Sequence, residues 1–76
     1  MEQILQILQG IRDDIDFANE KNLIDDGILD DYDMYTIICE LDRAFGIEID
    51  IDDLEPENFN SVEGMAALVE RLRRER

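Results

Sequence analysis

Carboxylates are the chemistry-bearing side chains of this sequence. They gather in two runs, Asp25-Asp26 with Asp30-Asp31-Asp33, and Asp50 with Asp52-Asp53 and Glu55. Carboxylate oxygens are hard ligands, so both runs raise the question of calcium. Neither places a glycine and a terminal glutamate at the offsets a twelve-residue EF-hand loop needs, and weak divalent binding that relieves charge repulsion fits them better than a dedicated site. Paired carboxylates also do acid–base chemistry, but only in a cleft that shifts their pKa values, and so short a chain leaves little room for one. We read no enzyme here. The single cysteine, Cys39, excludes an internal disulfide, and without histidine there is no two-residue soft metal site to build. An isolated helical cysteine is usually an inert small hydrophobe.

Amphipathic helices must position these groups. Ile4, Leu5, Leu8, Ile11 and Ile15 recur at steps of three and four, as one face of a helix requires, and predict helix one over about Glu2 to Phe17. Gly10 within it costs roughly 1 kcal/mol relative to Ala. The stretch Asn22 to Leu29 mixes turn formers with apolar anchors and should pack down as a loop. Asp30 and Asp31 then precede a second apolar period, Met34, Ile37, Ile38, Leu41 and Phe45. Asp is a favoured N-cap and first-turn residue, and Gly46 stands where a left-handed C-terminal cap is expected, so this is helix two.

Ile47-Glu48-Ile49-Asp50-Ile51 alternates as a strand would, but no second convincing strand exists to pair with it. It is read as an extended connector whose isoleucines plug gaps between helices. A short helical turn is expected over Asp52 to Glu55, stopped by Pro56. Asn60 or Ser61 can cap the last helix with Glu63 placed to help, and Val62, Met65, Ala66, Val69 and Leu72 supply its buried stripe. The expectation is an all-α, four-helix bundle: three main helices and one short helix in a single domain spanning residues 1–76. A chain of 76 residues buries only about 60% of its unfolded surface, so its stability is modest.

Twenty-one acidic residues against seven basic ones give a net charge of −14, which favours solubility and argues for a monomer at low salt. Nucleic acid is a poor partner, because phosphate backbones need a basic surface. The one basic cluster, Arg71, Arg73, Arg74 and Arg76, suits the last turn of a helix, where cations complement the dipole. The first residues lack the basic segment and apolar run of a secretory signal, and no run is long enough to span a bilayer. A cytoplasmic protein without membrane insertion is expected.

In order and spacing, Leu23-Ile24-Asp25-Asp26-Gly27-Ile28-Leu29-Asp30-Asp31-Tyr32-Asp33 resembles the loop and helix start of acyl, peptidyl and especially D-alanyl carrier proteins. The similarity continues through Ile37 to Ile49 and through Glu57-Asn58-Phe59-Asn60-Ser61-Val62-Glu63, covering nearly the whole chain. The resemblance implies a carrier of acyl or aminoacyl thioesters on a 4'-phosphopantetheine arm. It also implies partners with basic docking patches: a phosphopantetheinyl transferase and an acyl- or aminoacyl-activating ligase or acyltransferase. Asp-Gly-Ile-Leu-Asp and Glu-Asn-Phe look most like the D-alanyl branch.

One departure falls on the residue that matters most. The position matching the family's arm-bearing serine is Asp31, a carboxylate that cannot receive the arm in the ordinary way, so this chain is expected to carry none. The nearest hydroxyls, Tyr32, Tyr35 and Thr36, do not replace it, Thr36 falling inside helix two. Two origins fit: a deliberate exchange of the serine, or a natural homologue that has lost attachment. Asp31 puts one negative charge at a helix start, where anions are stabilised by roughly 0.3–1 kcal/mol. By the same resemblance, partner contacts fall on Asp30, Asp33, Glu40 and Asp42, with Tyr32 and Cys39 as apolar contacts. An acidic rim of this kind steers partners and chiefly raises association rates. The alternative is a non-carrying interaction module that binds the partner enzymes of carriers.

Overall fold

A computed structural model describes residues 1–75; Arg76, the last member of the basic cluster, lies outside the described residues. Four α-helices follow in order: α1 (Glu2–Ile11), α2 (Asp31–Phe45), α3 (Pro56–Phe59) and α4 (Val62–Arg74), with a 3-10 turn at Ile51–Asp53. There is no strand among the described residues. The expected all-helical bundle is what forms, measuring 33 × 22 × 20 Å.

Helix α1 is shorter than its pattern predicts. It ends at Ile11, and Arg12 turns extended at φ −137° and ψ 103°. Beyond it stand Asp13, Asp14 and Asp16, whose charges would oppose the negative end of the helix dipole. Phe17 still reaches the core, fully buried, but from a loop held by amides of Asn19 and Glu20 donating to the Asp16 carbonyl. Gly10 is accommodated inside α1 without a break.

Helix α2 starts and stops where the sequence predicts. Asp30 caps it, and the Gly46 cap is left-handed at φ 63°. The loop before α2 packs down as expected, with Leu23 and Leu29 buried. Their neighbour Gly27 takes φ 69°, a conformation that would strain an L side chain.

The connector has no regular secondary structure from Ile47 to Asp50, the backbone being extended at Asp50, and Ile47 is buried with Ile49 half-buried. Ile51 departs from expectation: it is 78% exposed and opens the 3-10 turn, one residue before the predicted start. The turn also ends sooner than predicted, at Asp53, and Pro56 opens α3 instead of merely stopping a helix. A proline is tolerated at a first helical position because its missing N–H has no intrahelical partner there.

Ser61 caps α4, its hydroxyl oxygen accepting from the Gly64 amide at 3.0 Å. Glu63 does not complete a capping box; its carboxylate takes the Lys21 ammonium at 2.6 Å. The buried side of α4 includes Leu68 in addition to Val62, Met65 and Val69. In its last turn, Arg71 reaches Asp53 at 2.9 Å and the Arg73 guanidinium lies over the Phe45 ring at 5.9 Å. Ile4 and Leu8 of α1, Ile37 and Leu41 of α2, Phe59 of α3 and the buried face of α4 form one apolar cluster. No helix among the described residues is long and apolar enough to cross a membrane.

Candidate functional site at the start of helix α2

Two carboxylates lock the start of α2. Asp30 Oδ1 accepts the Asp33 amide at 2.8 Å, and Asp33 Oδ2 accepts the Asp30 amide at 3.3 Å, so each satisfies a donor the helix leaves open. Residue 31 lies between them as the first helical residue, and its side chain is exposed. A shallow hollow of about 230 Å³ opens beside it. Ile24, Met34, Ile38, Leu54, Pro56 and Phe59 give its apolar walls, with Asp31 and Glu55 at the polar margin. The loop, α2 and α3 all contribute to that wall.

The loop is held in register by Asn60. Its side-chain oxygen accepts the amides of Ile24 and Asp25 at 2.9 and 3.0 Å, its carbonyl accepts Leu23 N–H at 3.0 Å, and its amide donates to Asp25 Oδ2 at 3.1 Å. The sequence offers Asn60 only as a candidate cap; the cap falls to Ser61, and Asn60 is free to latch a loop 35 residues earlier in the chain. Nothing in local spacing signals such a distant pairing.

The residues expected as partner contacts divide into two groups. Asp30 and Cys39 are exposed, and Tyr32 is 76% exposed. Tyr35, 70% exposed, shares their helix face and was legible from the same spacing of three and four. Glu40 is half-buried and bonded to Arg43, four positions beyond Cys39. Asp33 is a correction. Asp33 is 6% exposed and takes the Arg12 guanidinium at 2.6 Å, because a carboxylate turned into the helix junction needs a cation. Asp42 is half-buried, and its Oδ1 accepts the Ile49 amide at 3.0 Å, pinning the connector. Both carboxylates hold the scaffold, Asp33 from a buried position and Asp42 while still partly exposed.

Arg12 escapes sequence reasoning because the apolar pattern places it inside helix one, whereas the helix stops at Ile11 and leaves it at the end. Its Nε and Nη2 grip both oxygens of Asp14, at 2.9 and 2.8 Å, while Nη1 takes Asp33. The hydrogen bond to Asp14, with the charges of Asp14 and Asp33 added, raises the guanidinium above its ordinary value. Asp14 is correspondingly lowered, first by the Arg12 hydrogen bond. Glu63 is lowered chiefly by the hydrogen bond from Lys21.

Residue 31 offers a carboxylate and no hydroxyl, so a phosphodiester-linked arm does not fit the chain as it stands. Thr36 Oγ1 donates to the Tyr32 carbonyl, one turn back in the helix. Among the described residues, no three histidine, cysteine, aspartate or glutamate side chains are grouped to hold a metal ion. No family model matches the chain, and neither does any curated protein or solved structure.

Proposed function

We propose that this chain is a carrier-protein scaffold of the acyl, peptidyl and D-alanyl type, with aspartate where the arm-bearing serine would stand. One observation carries the reading: position 31 is exposed at the first turn of a doubly capped helix, directly beside an apolar hollow. A serine there would present its hydroxyl outward on a rigid element, and a small acyl or aminoacyl group on an arm would find apolar surface next to its point of attachment. The D-alanyl branch is the preferred assignment within the family, on the sequence segments quoted above. Tyr32, Tyr35 and Cys39 supply apolar contact on the outer face of α2, with Asp30 and Glu40 as the charges that steer a basic transferase or ligase.

A second reading follows from Asp31 itself. A chain that keeps the acidic outer face but cannot be loaded acts by occupying the partners of loaded carriers, as a non-carrying interaction module. Intact mass decides between the two, after this chain and its Asp31→Ser variant are incubated with a promiscuous phosphopantetheinyl transferase, coenzyme A and magnesium. A gain of one arm by the variant alone supports the carrier scaffold and marks residue 31 as the attachment position. No gain in either folded chain refutes it and leaves the interaction module.

A further inference from the structure

Asp33 is the one charged side chain buried among the described residues, and it does two jobs with one carboxylate. Oδ2 receives the Arg12 guanidinium from the end of α1 at 2.6 Å and the backbone amide of Asp30 at 3.3 Å. The loop from Arg12 to Asp30 separates the two helices in sequence, yet this carboxylate joins them across a single atom. Arg12 is itself fixed, because its remaining donors fork onto Asp14. Planar guanidinium–carboxylate pairs restrict orientation as well as distance, which a flexible ammonium does not.

We propose that Arg12 is a positioning residue for residue 31, acting through Asp33. Without the guanidinium, the Asp33 carboxylate is left in a poorly solvated junction with no cation, and turning out to water relieves it. That turn breaks the bond to the Asp30 amide, half of the capping box. Residue 31 then loses the fixed backbone on its N-terminal side. The α2 face that meets a partner is untouched, so docking survives while the presentation of residue 31 does not. The consequence for arm transfer rests on the carrier reading above; the consequence for the helix start does not.

Two readouts keep these apart. The first is amide hydrogen exchange in the unaltered chain, Arg12→Ala and Arg12→Lys. Losing a hydrogen bond to a charged group is worth about a factor of ten in local opening. Arg12→Ala should therefore quicken exchange at the Asp30 amide by about ten-fold while Leu68 and Val69 in α4 hold steady, with Arg12→Lys between the two. Equal acceleration everywhere, or none at the box, overturns the proposal.

The second readout is arm transfer onto Asp31→Ser by a phosphopantetheinyl transferase, with and without Arg12→Ala. A displaced acceptor should lower kcat by about ten-fold or more with KM unchanged, since small misplacements of a reacting group cost that much. Equal kcat values with an altered helix start overturn the positioning role. If Asp31→Ser alone gains no arm, the carrier reading is what fails, and exchange decides the clamp. Should Arg12→Ala not fold, Arg12→Gln combined with Asp33→Asn removes the buried charge together with its cation, leaving only the exposed Asp14 without its partner, and is read in the same two ways.

Discussion

Two glycines, both inside helices, should respond in opposite directions to the same substitution. Gly64 lies in α4 where α3 passes closely: a Cβ there would stand 2.6 Å from the Glu57 carbonyl oxygen and 3.4 Å from the Asn58 carbonyl carbon and oxygen. The first approach is about 0.8 Å inside the 3.4 Å at which ordinary van der Waals contact begins. The obstructing atom is backbone, so no rotamer change relieves it. Overpacking of this kind costs about 1–3 kcal/mol, against a gain of roughly 1 kcal/mol from replacing a helical glycine. With rigid backbone in the way the upper part of the range applies, and Gly64→Ala should lose about 1–2 kcal/mol. For a domain of this size that lowers Tm on the order of 10 °C. Gly10 in α1 has nothing within 4 Å of its Cβ position, so Gly10→Ala should gain about 0.5–1 kcal/mol and raise Tm by several degrees. Urea and thermal unfolding followed by far-UV circular dichroism measure both. A Gly64→Ala protein as stable as Gly10→Ala would refute the close α3–α4 approach, and with it the placement of Pro56 and Phe59 beside residue 31.

Asp30→Ala removes the α2 cap and should cost about 1 kcal/mol, whereas Asp31→Ser removes only a first-turn charge and should cost less, about 0.3–1 kcal/mol; equal losses in urea unfolding would contradict the assigned cap. Asn60→Ala leaves the Ile24 and Asp25 amides without their acceptor, and should cost about 1–3 kcal/mol with faster exchange at those two amides before any in α2. Raising ionic strength should increase Tm, because it screens the repulsion of a −14 charge; a falling Tm would show that the few ion pairs outweigh it. Asp14 and Glu63 titrate below their ordinary values of 3.8 and 4.5 through hydrogen bonds from Arg12 and Lys21, so their stabilisation is whole above those values and is lost as pH falls through the lower folded ones. Both are exposed to solvent and the effect is small. In urea titrations across that acid window, Asp14→Asn and Glu63→Gln should each lose less stability than the parent, and parallel curves would reject the assignment.

The site was legible in part. Position 31, its place at a helix start and its capping by Asp30 could be read from an acidic pair ahead of an apolar period. The exposure of Tyr32 and Cys39 followed from their lying off the α2 stripe. Asp33 was misread as outward-facing, and the backbone bond of Asp42 was not foreseen, because a carboxylate looks the same in a sequence whether it meets water or an amide. Asp33 is drawn inward by Arg12, 21 positions away, and Asp42 is engaged by an amide in a connector whose path the helix pattern does not fix.

What the sequence alone determined is the set of interactions that act within one or two turns: α2 between its Asp30 and Gly46 caps, a cap for α4 at Asn60 or Ser61, the apolar stripes and the sign of the surface charge. These depend on neighbours three and four residues away, and local chemistry decides them. The end of α1 at Ile11, the Asn60 latch, the exposure of Ile51 and the inward turn of Asp33 were decided only in three dimensions. The Asn60 latch and the inward turn of Asp33 are polar demands answered by residues distant in the chain, and no periodicity records which distant residue will be near.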